Sequence, residues 1–428
     1  MEETITQVQL DNGLKVLLKE IHTAPIISHW LWYRVGSRFE KPGVSGISHW
    51  VEHMQFKGTA NFPAGLLDKA ISRDGGYWNA FTYLDWTTFF ETMPADKVDL
   101  AIALEADRMV NSIYDEDEVN SERTVVISER EGSENEPLFR LDEAVQSAAF
   151  EQHPYRNEVI GSIADLQSIN RDDLYAYYRE HYNPGNAVLA LAGDFESSEM
   201  LEKIRQIYLP LPGHRVKEPE NPREDLLSSE KRVNVYGPGE TTYLLLSWRA
   251  PSASEEDFYA FTIADSLLTG PTSLNMFGGG GISNKTSRLY RRLVENEYAI
   301  SINGSLQATH DPFLYNITIT VNPKRKPEDV LMVLDEELDA LRQAVVLRPE
   351  IDRSAKQARA LFAYGSENIT NQAFWLGYSE MFDRYTWFTQ YTRKLSEVTP
   401  EILLSTLRNY LNREQRIVGI YHPDGARQ

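Results

Sequence analysis

The chain has 428 residues, a formal net charge of −20 and no cysteine. The missing thiols exclude disulfides, thiolate metal ligands and a cysteine nucleophile, and the acidic balance argues against a nucleic-acid-binding face. A hydrophobic content of 42%, a charged content of 25% and the lack of an apolar run long enough to span a bilayer read as a globular chain of two or three domains with no membrane span.

The first 20 residues alternate polar and apolar, predicting two strands around a turn at Asp11-Asn12-Gly13. They contain no basic segment followed by an apolar one, so no signal peptide is read; a cytoplasmic location is the expectation and a periplasmic one stays open. Residues 26–35 (IISHWLWYRV) read as a buried strand, and Gly36-Ser37-Arg38 with Lys41-Pro42-Gly43 as the loop that follows. Then comes GVSGISHWVEHMQFKGT, with His49, Glu52 and His53 inside a largely apolar setting of Ile47, Trp50, Val51, Met54 and Phe56. Residues three and four apart share a helix face, so the two imidazoles and the carboxylate point the same way. Two histidines one turn apart can hold one divalent metal, and a carboxylate beside them can take a proton from a water on that metal; this is the H-x-x-E-H pattern. The competing reading is a pair of satisfied helix histidines. Polar groups on an apolar helix need partners when buried, and one metal satisfies both rings at once.

A second helix is predicted over 63–73, two strands over 77–82 and 86–93, and an amphipathic helix over 95–112. An acidic helix over 117–134 follows. A site with two histidines and no cysteine needs a third ligand that is His, Asp or Glu, and this helix offers Glu118, Glu122, Glu129, Glu131 and Glu134. Glu122 and Glu129 lie two turns apart on one face; spacing alone does not choose among the five. Pro137 suits the first position of a helix over 138–150. A helix over 171–182 and a buried strand over 187–192 close the first half, and the Pro- and charge-rich stretch 209–230 reads as a linker.

The second half replays this layout at low similarity: a strand at 243–248, a helix at 258–268, and near the end a helix at 400–411 and a strand at 417–421. It has no H-x-x-E-H. Its oddest feature is Phe277 followed by four glycines, 278–281, a flexible loop or a place of close backbone approach. The division expected is 1–210 for the metal-bearing domain, 211–230 for the linker and 231–428 for a homologous domain without metal.

The segments HWVEHMQFKGT (49–59), NAFT (79–82), SERTVVISERE (121–131), HPYRNEVIG (153–161) and YYREHYNPGNAVLALAGDF (177–195) together resemble the pitrilysin-type, or inverzincin, zinc peptidases, and among them short bacterial members related to mitochondrial processing peptidase. The resemblance spans most of the first half; in the second it rests on layout and on SRLYRRL (287–293). It implies an α+β fold of two homologous domains, each a mixed or antiparallel sheet packed by helices, forming half of a clamshell. It implies Zn2+ held by His49, His53 and Glu129, with Glu52 as general base and Glu122 behind the ligands. Asn79, Ala80 and Phe81 fall on the strand that pairs with an unfolded peptide substrate. The activity implied is that of a zinc endopeptidase working inside a chamber closed by a second homologous subunit, in a heterodimer or a homodimer. One segment departs from the pattern. Where active enclosed members carry L-R-E-K-x-G-x-x-Y and use its Arg and Tyr on the substrate, this chain has Leu293-Val294-Glu295-Asn296-Glu297-Tyr298-Ala299-Ile300. Tyr298 with Arg291 or Arg292 is the available replacement. The resemblance also carries a non-catalytic alternative, a scaffold or partner subunit of a peptidase or respiratory complex, against which the intact H-x-x-E-H and Glu129 argue.

Overall fold

A computed structural model describes residues 5–275 and 283–424; the tetraglycine segment lies outside the described residues. The chain forms two compact α+β units, each a sheet packed by helices. The first sheet contains β1 (Ile5–Gln9), β2 (Lys15–Glu20), β3 (Ile26–Tyr33), β4 (Tyr77–Thr82), β5 (Thr87–Pro94) and β6 (Ala187–Gly193), in the order β1-β2-β6-β3-β5-β4. Only the β2–β6 pair is parallel; the other neighbours are antiparallel. Central β3 is buried along almost its whole length, which is why its sequence reads as a continuous apolar run rather than an alternation. Its side chains still alternate between faces. Ile27, Leu31 and Tyr33 join the cluster of the helix Ile47–Met54, while Trp30 and Trp32 pack against Phe374 of the helix Ile369–Phe382, at 5.4 and 5.5 Å between ring centroids.

The second sheet contains β7 (Lys231–Gly237), β8 (Tyr243–Arg249), β9 (Ala299–Ser305), β10 (Leu314–Val321) and β11 (Arg416–Pro423), in the order β7-β11-β8-β10-β9. Again one pair is parallel, β7 with β11, and the rest antiparallel. Strand for strand this repeats β2-β6-β3-β5-β4, so the low-similarity replay in the sequence is a duplicated topology.

The compact units differ from the contiguous division at 210 and 231 in two places. The first unit comprises 1–131, 157–221 and 367–388; the second comprises 132–156, 222–366 and 389–428. Each sheet is thus covered by a helix taken from the other half of the sequence: Ile369–Phe382 lies on β3 and β6, and Pro137–Ala149 lies on β11 and β7. The stretch read as a linker contains no helix or strand, yet it is anchored. The backbone N–H of His214 donates to Asn183 at 3.0 Å, and Gly185 runs so close to it that a Cβ there would sit 2.2 Å from the His214 carbonyl oxygen. Glu224 accepts from the backbone N–H groups of Glu151, Gln152 and His153 at 2.7–3.0 Å.

Among the described residues, no helix is long and apolar enough to cross a membrane.

Candidate metal centre

The helix Ile47–Met54 starts abruptly. Gly46 has φ of +88°, and any Cβ there would lie 2.5 Å from the Ile160 carbonyl oxygen, so glycine is required on both counts. No side chain caps the helix in the usual way. Instead the buried Glu40 carboxylate accepts from the N–H of Gly46 at 2.9 Å and of Ser48 at 3.0 Å, placing a negative group where the helix presents unpaired donors. Burial pushes Glu40 up to about 7, against the pull of those two N–H groups. Ser48 is further tied to the Tyr177 hydroxyl at 2.8 Å. The helix therefore enters at a fixed angle, with Trp50, Val51 and Met54 in the core and the two histidines on its half-buried side.

His49 Nε2 and His53 Nε2 are 3.2 Å apart. Glu129 Oε2, from the helix Glu116–Glu134, lies 3.5 Å from His53 Nε2 and 3.9 Å from His49 Nε2. All three donor atoms fall within 4.8 Å of one another, and this is the one such group among the described residues. The edge of a tetrahedron with arms near the usual zinc–nitrogen length is about 3.3 Å, so the set matches three corners of a zinc site with the fourth left to solvent or substrate. Two nitrogens and one carboxylate oxygen are also the donor types of catalytic zinc. Of the five acidic residues left open by spacing, the fold brings Glu129 into the group.

Glu122, two turns earlier, stands behind His53. The His53 Nδ1–H donates to Glu122 Oε1 at 2.7 Å, which leaves the Nε2 lone pair directed at the cluster. Lys57 holds the other oxygen, Oε2. Burial works against a charged His53, yet the Glu122 hydrogen bond and the Glu129 charge outweigh it and raise its pKa. His49 is the opposite case. Burial, together with the neighbouring His53, lowers it to about 3, and its Nδ1 is buried without a hydrogen-bond partner. One ring is thus anchored from behind through its Nδ1 and the other is not.

Glu52 is 8% exposed, and burial raises it to about 7. Its Oε2 accepts from the Thr82 hydroxyl at 2.6 Å, and Thr82 ends β4. A carboxyl poised near neutrality beside two imidazoles suits proton transfer. Strand β4 is the edge of its sheet. Tyr83 N–H donates to the Trp86 carbonyl at 2.8 Å. Ladder bonds in an antiparallel pair alternate, so Trp78, Ala80 and Thr82 turn their N–H and C=O groups outward. Ala80 N–H already donates to the Asn79 side chain at 2.8 Å, a contact that an added strand would have to displace. Phe81 lies on the other face, stacked with Phe90 at 6.3 Å.

Three residues of this centre carry no role in the sequence reading: Glu40, Lys57 and Thr82. Lys57 was legible in principle, since it follows His53 by four residues and so shares its face. Thr82 and Glu40 act across loops and strands and left no periodic signal. In the second unit Tyr298 and Arg292, two of the three proposed replacements for the substrate pair, have partners of their own. Arg292 pairs with Glu336 at 2.9 Å, and Tyr298 lies under the Arg325 guanidinium at 4.4 Å. Glu297, just before it, is the only non-glycine with positive φ among the described residues, at +57°.

The comparisons place the chain beside known peptidases. A family model described as Insulinase (Peptidase family M16) matches residues 15–162, and one described as Peptidase M16 inactive domain matches residues 168–357. A zinc protease of Mycobacterium leprae, itself described as uncharacterized, is 27% identical over 422 residues, covering 96% of this chain and 90% of that protein. A probable mitochondrial-processing peptidase subunit beta of Arabidopsis thaliana is 28% identical over 296 residues, covering 68% of this chain and 55% of that one. The crystal structure of a protease from Helicobacter pylori superposes with a TM-score of 0.90 at 25% identity, covering 98% of this chain and 100% of that one. With both halves matched in order and the His-His-Glu group assembled between two helices, the chain belongs to peptidase family M16.

Proposed function

We propose that this chain is a zinc-dependent endopeptidase acting on unfolded peptides inside an enclosed chamber, as the metal-bearing subunit of a dimer. The observation that carries this reading is the convergence of His49, His53 and Glu129 with the buried Glu52 one residue before His53. Bound zinc supplies a Lewis acid for the scissile carbonyl and lowers the pKa of a water at the site. Glu52 takes the proton as that water attacks and passes it to the leaving amine. Thr82 holds Glu52 in place, and the outward N–H and C=O groups of β4 bind the substrate backbone as an added strand. Only an extended segment can add in this way, which favours unfolded peptides. The partner subunit is argued from the second unit: with Val294 in the Arg position and Tyr298 under the Arg325 guanidinium, the tyrosine of the pair is engaged whichever arginine, Arg291 or Arg292, would join it, so the substrate clamp is best supplied by another chain.

The test is cleavage of a quenched fluorescent peptide library by wild type and Glu52→Gln, each alone and with homologous partner chains. Glu52→Gln is expected to keep zinc and lose about 10²–10⁴ in rate. Zinc-loaded wild type that cleaves nothing in any mixture would instead support the scaffold reading.

A further inference from the structure

We infer that Lys57 is a positioning residue of the metal centre: it locks the Glu122 carboxylate so that one oxygen always faces His53. This inference rests on the zinc reading above and goes beyond its ligands and base. His49, His53 and Lys57 follow at intervals of four, the last from the short 3-10 turn Gln55–Lys57 that extends the histidine helix. Glu118 and Glu122, also four apart, face them from the helix Glu116–Glu134. Lys57 Nζ contacts Glu122 Oε2 and lies 3.5 Å from Glu118 Oε2, while Glu122 Oε1 takes the His53 Nδ1–H at 2.7 Å.

Each carboxylate oxygen of Glu122 therefore has its own partner, and the two partners fix the plane of the group. The Glu122 side chain is only 9% exposed, so an oxygen left without a partner there is not simply handed to bulk water. Without the ammonium, the carboxylate is free to rotate about its last bond, and the His53 ring loses the constraint that aims Nε2 at the ligand cluster. Glu118 is 54% exposed and touches no histidine in the group, so it serves Lys57 and not the ring. Simple charge repulsion makes the opposite forecast, because removing a cation near a divalent metal should tighten its binding. The two effects differ in sign, and this makes the inference testable.

The experiment is zinc affinity by chelator competition on the full chain, with the thermal midpoint of the metal-free protein measured in parallel. Lys57→Met is expected to weaken zinc about tenfold, the lower end of what outer partners of ligating histidines contribute. Lys57→Arg is expected to restore most of that loss, and Glu118→Gln to stay within about twofold of wild type, since losing a half-exposed ion pair is a small effect. Zinc binding by Lys57→Met that equals or exceeds wild type overturns the inference. So does a loss that tracks a lowered midpoint of the metal-free protein, which would mark Lys57 as a fold residue only. If Lys57→Met does not fold, Lys57→Gln takes its place under the same criteria. Wild type that binds no zinc would refute the metal reading itself, a result distinct from any of these.

Discussion

The Thr82 hydroxyl donates to Glu52 Oε2 at 2.6 Å, joining the last residue of an edge strand to the acid of the histidine helix. The bond favours the ionised carboxylate, the form a general base needs, and partly offsets the burial that raises Glu52 to about 7. The acid limb of the rate profile is therefore expected no higher than about 7, since bound zinc also pulls Glu52 down. Thr82→Val should move that limb to higher pH while zinc content stays full. An unmoved limb would show that Glu52 does not govern it.

Glu129 is the carboxylate that the fold delivers to the histidine pair. Removing outer partners of metal ligands costs about 10–100-fold in affinity, so removing a ligand should cost more. Glu129→Ala and His49→Ala are each expected to purify with little zinc by atomic emission, and Glu131→Ala with full zinc. Full zinc in Glu129→Ala would move the third ligand elsewhere.

Gly377 lies in the helix Ile369–Phe382 against the Trp32 ring, where a Cβ would sit 2.1 Å from the indole nitrogen. In an open helix, Gly→Ala stabilises by about 1 kcal/mol. Here the overpacked ring reverses the sign, and Gly377→Ala should destabilise by about 1–3 kcal/mol in denaturant unfolding. A rise in stability would show that Trp32 yields easily.

Asp265, buried in the helix Asp257–Leu268, accepts from the hydroxyls of Thr269 at 2.7 Å and Tyr315 at 2.9 Å. Burial nevertheless raises it from 3.8 to about 6. A carboxyl raised on folding contributes stability that is full below its unfolded pKa and is lost as pH rises through the folded value. Asp265→Asn stays neutral throughout, so relative to wild type it should gain between pH 4 and pH 8, by an amount on the order of 3 kcal/mol for two pKa units. A difference that does not change with pH would place the folded pKa near its ordinary value.

Most of the local structure was legible because it is periodic. The histidine helix, the amphipathic helix Val98–Asn111 and strand β3 follow from spacing and apolar content alone. The histidine pair His49 and His53 was legible for the same reason, being four residues apart on one helix. Spacing narrowed the candidate third ligand to five glutamates, because a helix shows which residues share a face but not which turn meets a neighbour; only the family resemblance singled out Glu129, the one the fold places beside the pair. Sequence alone therefore determined the elements, the duplicated layout and the chemistry of the pair. Tertiary structure decided which carboxylate joins that pair. It decided that Glu40 anchors the helix start, that Thr82 and Lys57 brace Glu52 and Glu122, and that each sheet borrows a helix from the other half of the chain. The physical reason is common to all of these. Periodicity is a property of regularly spaced neighbours within one element, whereas a hydrogen bond or a packed helix between two separate elements, whether 6 residues apart as Glu40 and Gly46 are or 365 apart as Lys15 and Glu380 are, depends on where those elements come to rest.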